Sequence, residues 1–481
     1  MENNIINLRT DNYIHQRAFC AVDAENSIKE QFLDRIGVEI DGKKVRVNPT
    51  LTANYILKYS CMILLTNNEL AIYNGKFYEI TLAPLIIKRI IKKLLNCIGP
   101  YWNTRREKEI IEAIKLSLDN QVKNLDIDNI INFRNGVLNL DDLTLHEHSP
   151  KYLCSYMLET EYDPNAKCPR WDAFVKEIFM GDESRIMLLQ EVFGACISNA
   201  RTQKAAIFYG SGANGKSVAA STLETLCGPG NVAHLSLDKF QSQFGLQSLI
   251  GKKLNVAAEL ETGNAKLVTS NFKSIVGGDA LQVNIKYQAP LETVLNCKLV
   301  FLTNNLPDTL DTSFGYIRRL LIIPFNYTVP EDRKDVYLTD KLKKEIGGIL
   351  NWSIQGMLRL QKNNFVFTKC EAAQKILNEY KNSINNTCEF FGTCFIRQPG
   401  EKIRKSQVYE HYVQYCALNG ESFSNRADFW RAFKSHFANK GVSMQIKRVN
   451  GIDHLCDYKY NSSTKNIESF VNSSTDIAIN F

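Results

Sequence analysis

The chain is short of several things, and each shortage excludes a class. No stretch approaches the ~18 consecutive apolar residues of a membrane span. The opening Met1-Glu-Asn-Asn has neither the basic start nor the apolar run of a secretory signal. There is no CxxC pair: 13 cysteines, an odd number, are scattered from Cys20 to Cys456. That pattern suits neither a disulfide framework nor a zinc ribbon and points to a reducing cytoplasm. Charge bias is small, with 58 Lys+Arg against 51 Asp+Glu and a net of +7, so a polyanionic partner requires the excess to be gathered in patches. Repeats and low-complexity blocks are also missing. What is present is 481 residues with 44% hydrophobic content, enough for about three domains with their own cores and too apolar for wholesale disorder.

The first ~165 residues mix short strands (Leu70–Tyr73, Lys76–Ile80) with helices. One helix starts at Pro84 and places Ile87, Ile91, Leu94, Leu95 and Ile98 on one face, with Lys88, Arg89, Lys92 and Lys93 elsewhere. From Pro84 to Lys108 there are seven Lys/Arg and one Glu, a net of +6. A core-packing helix with a solvated basic face is the plain reading; contact with nucleic acid is the sharper one, and membrane attachment comes last. Asn135-Gly136 marks a turn between apolar residues, and the turn-rich Tyr162–Trp171 segment reads as a linker. Trp171 to Ser198 is expected to be helical, Lys204 to about Phe325 to alternate strand, loop and helix, and Tyr337 to Lys381 to be helical. The end, rich in Ser, Thr and Asn, reads as a loose tail.

Lys204-Ala-Ala-Ile-Phe-Tyr209 is a buried-strand run leading into Gly210-Ser211-Gly212-Ala213-Asn214-Gly215-Lys216-Ser217, which satisfies GxxxxGK[ST], and a helix from Val218 to Leu226 follows. Glycines at 210, 212 and 215 let backbone amides curl around phosphate oxygens, and the helix N-terminus adds positive potential. Lys216 can reach the β- and γ-phosphates, and the Ser217 hydroxyl can ligate Mg²⁺. Residues 210–218 are therefore the candidate ATP site.

A phosphate loop needs a carboxylate on a neighbouring strand to hold Mg²⁺ and polarise water. The Lys253–Ala258 run ends in Glu259-Leu-Glu261, whose two acids point the same way on an extended segment; Glu259, nearer the strand, is favoured. A third strand, Lys298–Thr303, runs into Asn304-Asn-Leu-Pro307, where the Asn304 amide can orient the lytic water. Arg318-Arg319, ahead of the apolar Leu320–Phe325 run, suit an arginine finger offered to a neighbouring subunit's ATP, or else structural arginines bridging acids.

From Ile384 to Asn461 the chain carries eleven Lys/Arg against seven Asp/Glu. Ser406 is placed as the N-cap of a helix with Val408, Tyr412, Tyr415 and Cys416. Asn425 caps a second helix with Phe429, Trp430, Phe433 and Phe437, and a hairpin turns at Asn450-Gly451. Helix, helix, hairpin suggests a winged helix. Phe429 and Phe433 are assigned to packing; Arg426, Arg431, Lys434, Lys447 and Arg448 are candidate phosphate contacts.

Taken in order, Gly210–Ser217, Glu259, Phe272-Lys-Ser-Ile-Val-Gly-Gly-Asp279, Lys286-Tyr287, Thr303–Pro307 and Arg318-Arg319 resemble the superfamily-3 helicases, in particular the phage, plasmid and poxvirus primase–helicase type. Asn135-Gly-Val-Leu-Asn-Leu and Tyr162–Trp171 look like that family's pre-helicase region, and the likeness covers about 132–460. The resemblance implies an α/β fold with an AAA+ P-loop core on a parallel sheet and a homo-hexamer that threads single-stranded DNA 3′→5′ on ATP and Mg²⁺. It implies that Lys273 and Gly277-Gly278-Asp279 belong to the helicase's own motif, and that Lys286, beside Tyr287, lies on a hairpin in the central channel. The ~130 residues before Asn132 are too few for the family's primase module, so primer synthesis is not expected.

The expected division is a mixed α/β accessory domain (1–165), a helical collar (166–203), the core (204–345), a helical connector (346–383), the winged helix (384–461) and the tail (462–481). The expected function is an origin-recognising replicative helicase of a mobile element in a bacterial cytoplasm, with origin duplex as a second partner and no membrane. The alternative is an origin or packaging ATPase that switches without unwinding. A small-molecule P-loop kinase leaves the basic C-terminal unit unexplained.

Overall fold

The computed structural model describes residues 26–97, 99–118, 122–123, 125–258, 269–287, 289–307, 313–383, 386–419, 423, 426, 429–430, 433 and 445–461. The chain gathers into two compact units, one drawn from 1–260, 271–305 and 323–370, the other from 261–270, 306–322 and 371–481.

The first unit is built around a five-stranded sheet in the order Val232–Ala233, Leu254–Ala258, Lys298–Thr303, Ala205–Tyr209, Leu320–Pro324. The first four strands are parallel. Their sequences are nearly continuous apolar runs because both faces of such a sheet are covered. Tyr209 is opposite Thr303, and Ala258 is opposite Leu302. Three strands therefore finish at one edge, which puts the loops that follow them side by side.

Ahead of the sheet, helices Pro169–Ile178 and Glu183–Ile197 replace the single expected helix. The break falls at Met180-Gly181, both in the left-handed region (φ 53° and 73°), and Asp182 then caps the second helix by accepting from the Ser184 and Arg185 amides. The 183–197 helix packs on Ile346–Lys362 through glycines. A Cβ on Gly356 would sit 2.1 Å from the Gln190 carbonyl oxygen, and one on Gly194 would sit 2.5 Å from the Met357 nitrogen. Glu191, fully buried here, accepts from Arg359 Nε (2.7 Å), the Thr368 amide (2.7 Å) and the Thr368 hydroxyl (2.6 Å).

The N-terminal region is mixed α/β. A four-stranded sheet in the order Tyr78–Glu79, Leu70–Tyr73, Met62–Leu65, Val122–Lys123 accompanies helices Asn26–Ile36, Pro49–Tyr59, Ala83–Asn96 and Thr104–Leu118. Ala83–Asn96 buries Ile86, Ile87, Ile90, Ile91, Leu94 and Leu95, a wider stripe than the sequence reading named. Ile98 lies outside the described residues. The strands Ile130–Phe133 and Gly136–Asn139 pair Phe133 with Gly136, so the two-residue turn is Arg134-Asn135, one residue earlier than expected.

In the second unit, strands Phe395–Arg404, Ile452–Tyr460 and Ile446–Val449 form an antiparallel sheet in that order. The sheet shares a core with helix Lys405–Leu418 and with Phe390, Phe429 and Phe433, so both assigned packing residues are buried. Val449 opposite Ile452 leaves Asn450-Gly451 as the tight turn, with φ of 50° and 80°. Ser406 lies inside the 405–418 helix, whose cap position is Arg404; the strand runs directly into the helix, which displaces the expected cap. Tyr337 to Lys381 resolves into helices Leu338–Lys343, Ile346–Lys362 and Glu371–Ser383. Among the described residues no helix is long and apolar enough to cross a membrane.

Candidate nucleotide-binding site

The Ala205–Tyr209 strand passes through Gly210–Gly215 into the Lys216–Cys227 helix. Gly212 (φ 109°), Ala213 (φ 48°) and Gly215 (φ 85°) all take positive φ. Such reversals turn successive amides toward a common point, the backbone basis of anion binding. Gly210 is required for a different reason. A Cβ there would meet the Phe325 carbonyl oxygen at 2.2 Å and Asn214 Nδ2 at 2.3 Å.

Lys216 closes the loop. The residue is 6% exposed, and its ammonium donates to the Gly210 carbonyl and to Asn304 Oδ1, the latter at 3.0 Å. Burial holds the Lys216 ammonium below the usual lysine range. A desolvated cation against two neutral oxygens is a site that gains from an added anion. The contact also joins the tip of the third strand to the loop, as the parallel register requires.

Around these groups is a cavity of about 440 Å³ lined by residues 212–218, Ala258, Leu302, Thr303 and Asn304, with Phe174, Val329, Lys334, Asp335, Val336 and Leu338 completing it. This is within the range of about 300–1,000 Å³ typical of small-molecule sites. Ser217 is exposed to it. Asp335 accepts from Lys341 Nζ at 2.6 Å, which holds its carboxyl low. Asn214, 3% exposed, donates to the Phe325 carbonyl at 2.7 Å, and the Val329 amide donates to the Ala213 carbonyl at 2.9 Å.

The remaining sequence candidates divide. Glu259, Glu261, Arg431 and Lys434 lie outside the described residues. Arg318 is exposed and Arg319 half-buried just after the short Phe314–Ile317 helix, with Arg319 Nη1 donating to the Gly315 carbonyl at 2.6 Å. Lys273 is half-buried in helix Ser270–Gly277. The expected strand 281–287 ends at Val283, because Asn284 to Tyr287 turn out of it. Tyr287 has φ 63° and is fully exposed. The Lys286 ammonium lies 5.9 Å from the Phe244 ring centroid. Lys447 and Arg448 are exposed on the hairpin, Arg448 donating to the Gly451 carbonyl at 3.1 Å. Arg426 is exposed, its guanidinium 5.4 Å from the Tyr409 ring centroid.

Missed from sequence were Phe174 and residues 329–338. They reach the cavity from segments about 40 residues before and 120 after the loop, and carry no spacing signal of their own.

Two family models match parts of the chain: the D5 N terminal like family over residues 62–180, and a family of unknown function, DUF5906, over 208–319. The second span holds the phosphate loop, Asn304 and Arg318-Arg319. A putative helicase of Acanthamoeba polyphaga mimivirus is 29% identical over 274 residues, 54% of this chain and 27% of the relative. The match spans about a quarter of that protein's length. Solved apo structures of the NrS-1 C-terminal region are 12–13% identical, cover 85% of this chain and 99–100% of their own, and superpose with TM-scores of 0.45–0.46. The sequence matches link the chain distantly to a putative viral helicase and to the D5 N terminal like family.

Proposed function

We propose that this chain is an ATP-driven DNA helicase subunit acting in the replication of a mobile genetic element. The observation that carries the reading is Lys216: buried, 3.0 Å from Asn304, and set in a glycine loop at the carboxyl edge of a parallel sheet. The residues present suit a nucleoside triphosphate. The loop amides and Lys216 would hold the β- and γ-phosphates, Ser217 with Glu259 would hold Mg²⁺, and Asn304 would orient the water. Mg²⁺ would supply charge neutralisation for phosphoryl transfer. The likeness to a putative helicase of the mimivirus supports the same reading.

The finer proposals follow the sequence resemblance. The subunits assemble as a hexamer moving 3′→5′ on single-stranded DNA, with Lys273, Lys286 and Tyr287 meeting the strand. Arg318 or Arg319 completes a neighbour's site. The second unit, as a winged helix, binds origin duplex through Arg426, Arg431, Lys434, Lys447 and Arg448.

Lys216→Ala should reduce Mg²⁺-dependent ATP hydrolysis by at least a hundredfold, since the charge placed against the transferring phosphoryl group is lost. A phosphate-release assay checks this, and wild-type turnover in the variant would remove the assignment. A forked DNA substrate then separates helicase from switch: strand displacement with ATP supports the motor, and hydrolysis without displacement supports the origin or packaging switch.

A further inference from the structure

The Ala83–Asn96 helix has two faces of opposite character. Its apolar stripe is spent in the core. Its outer face carries Lys88, Arg89, Lys92 and Lys93, all exposed, and the helix contains no Asp or Glu. Lys88 and Lys92 are one turn apart, as are Arg89 and Lys93, so two like-charge i,i+4 pairs are side by side. Such pairs destabilise a helix unless something anionic lies across them.

Some of these cations meet groups of the protein itself. Glu107, the one acid between Pro84 and Lys108, is buried. It accepts from Trp102 Nε1 at 2.9 Å and lies 3.8 Å from Lys88. Lys92 stands 4.7 Å over the Trp102 ring, a contact that keeps its charge. The adjoining arginines are engaged: Arg105 with Glu109 at 2.8 Å, and Arg106 with the Tyr101 and Val45 carbonyls.

We propose that the outer face of the Ala83–Asn96 helix binds the phosphate backbone of a DNA strand, as a surface separate from the nucleotide site. Charge complementarity selects a polyanion. A lipid surface is disfavoured because the helix has already buried the stripe it would need to insert, leaving only Leu82 and Leu85 exposed at its start. Four cations without base-reading partners give sequence-independent, salt-sensitive binding. Naming the polyanion as DNA rests on the helicase reading; the anion-binding face does not.

The test is fluorescence anisotropy of a labelled single-stranded oligodeoxynucleotide with the full chain, without nucleotide, over a range of KCl concentrations. The combined Lys88→Gln, Arg89→Gln, Lys92→Gln, Lys93→Gln variant should bind about tenfold or more weakly at low salt. Its log affinity against log salt should be shallower by about 2–3, from about 0.7 per phosphate contact. An Arg-for-Lys version at 88, 92 and 93 should retain binding. DNA-free ATP hydrolysis of the Gln variant should match the wild type and its melting temperature should be no lower, which separates lost contacts from lost folding. Unchanged affinity and slope in the Gln variant would overturn the proposal, as would capture by phosphatidylserine vesicles without DNA binding. If hydrolysis is absent from the wild type while the DNA effect persists, the motor reading fails and this surface stands.

Discussion

The lysines of the first unit show what a buried cation costs and how position decides its use. Lys216 is next to a cavity where an anion can enter. Lys253 is at the opposite edge of the sheet, equally buried but away from that cavity. It donates to Asn199 Oδ1, stands 4.0 Å over the Tyr156 ring, and is pushed down to about 7 by burial, with Asp126 opposing that shift and Lys298 adding to it. The Cys196 and Cys227 thiols, also enclosed, are raised by the same desolvation. At Lys253 the unfolded chain therefore binds more protons than the folded one between about pH 7 and the ordinary lysine value, whatever the thiols contribute equally to the wild type and to a variant at that position. The penalty of burying Lys253 is full below about 7 and fades as pH rises. Wild-type stability should gain on a Lys253→Met variant by up to about 1.4 kcal/mol per pH unit across that window. Parallel thermal melts at pH 7 and 9.5 check this, and a constant difference between the two proteins would contradict it.

Among the elements, the contact of Glu183–Ile197 with Ile346–Lys362 depends on missing side chains. Gly356→Ala forces a methyl against the Gln190 carbonyl and should cost about 1–3 kcal/mol in urea unfolding. Gly392→Ala, on an open helical surface with no atom within 4 Å of the new carbon, should gain about 0.4–1 kcal/mol. Local chemistry of this kind explains what the sequence did and did not disclose. The third strand, Lys298–Thr303, has the bounds read from its apolar run, and the Asn450-Gly451 turn was legible because its dipeptide tolerates two positive φ values. The break at Met180-Gly181 was missed although Gly181 and the cap-forming Asp182 mark it, because apolar residues flank it on both sides. Neither was the end of the strand at Val283: alternation persisted in the letters while the backbone turned.

At the scale of the whole molecule, the open matter is whether one chain holds a complete engine. If Arg318 and Arg319 serve a neighbour, two inactive proteins should repair each other. Mixing an Arg318→Ala, Arg319→Ala variant with Lys216→Ala should restore a measurable fraction of wild-type ATP turnover, because some interfaces then pair an intact loop with an intact arginine. No recovery at any mixing ratio would place the arginines' role within their own chain. The phosphate loop itself is sewn at two points, through Asn214 and Ala213, to the Phe325–Val329 stretch that continues into the Lys334–Leu338 wall of the cavity. A displacement of the loop would therefore be passed to that wall through these two bonds, tying the two sides of the chamber to one another.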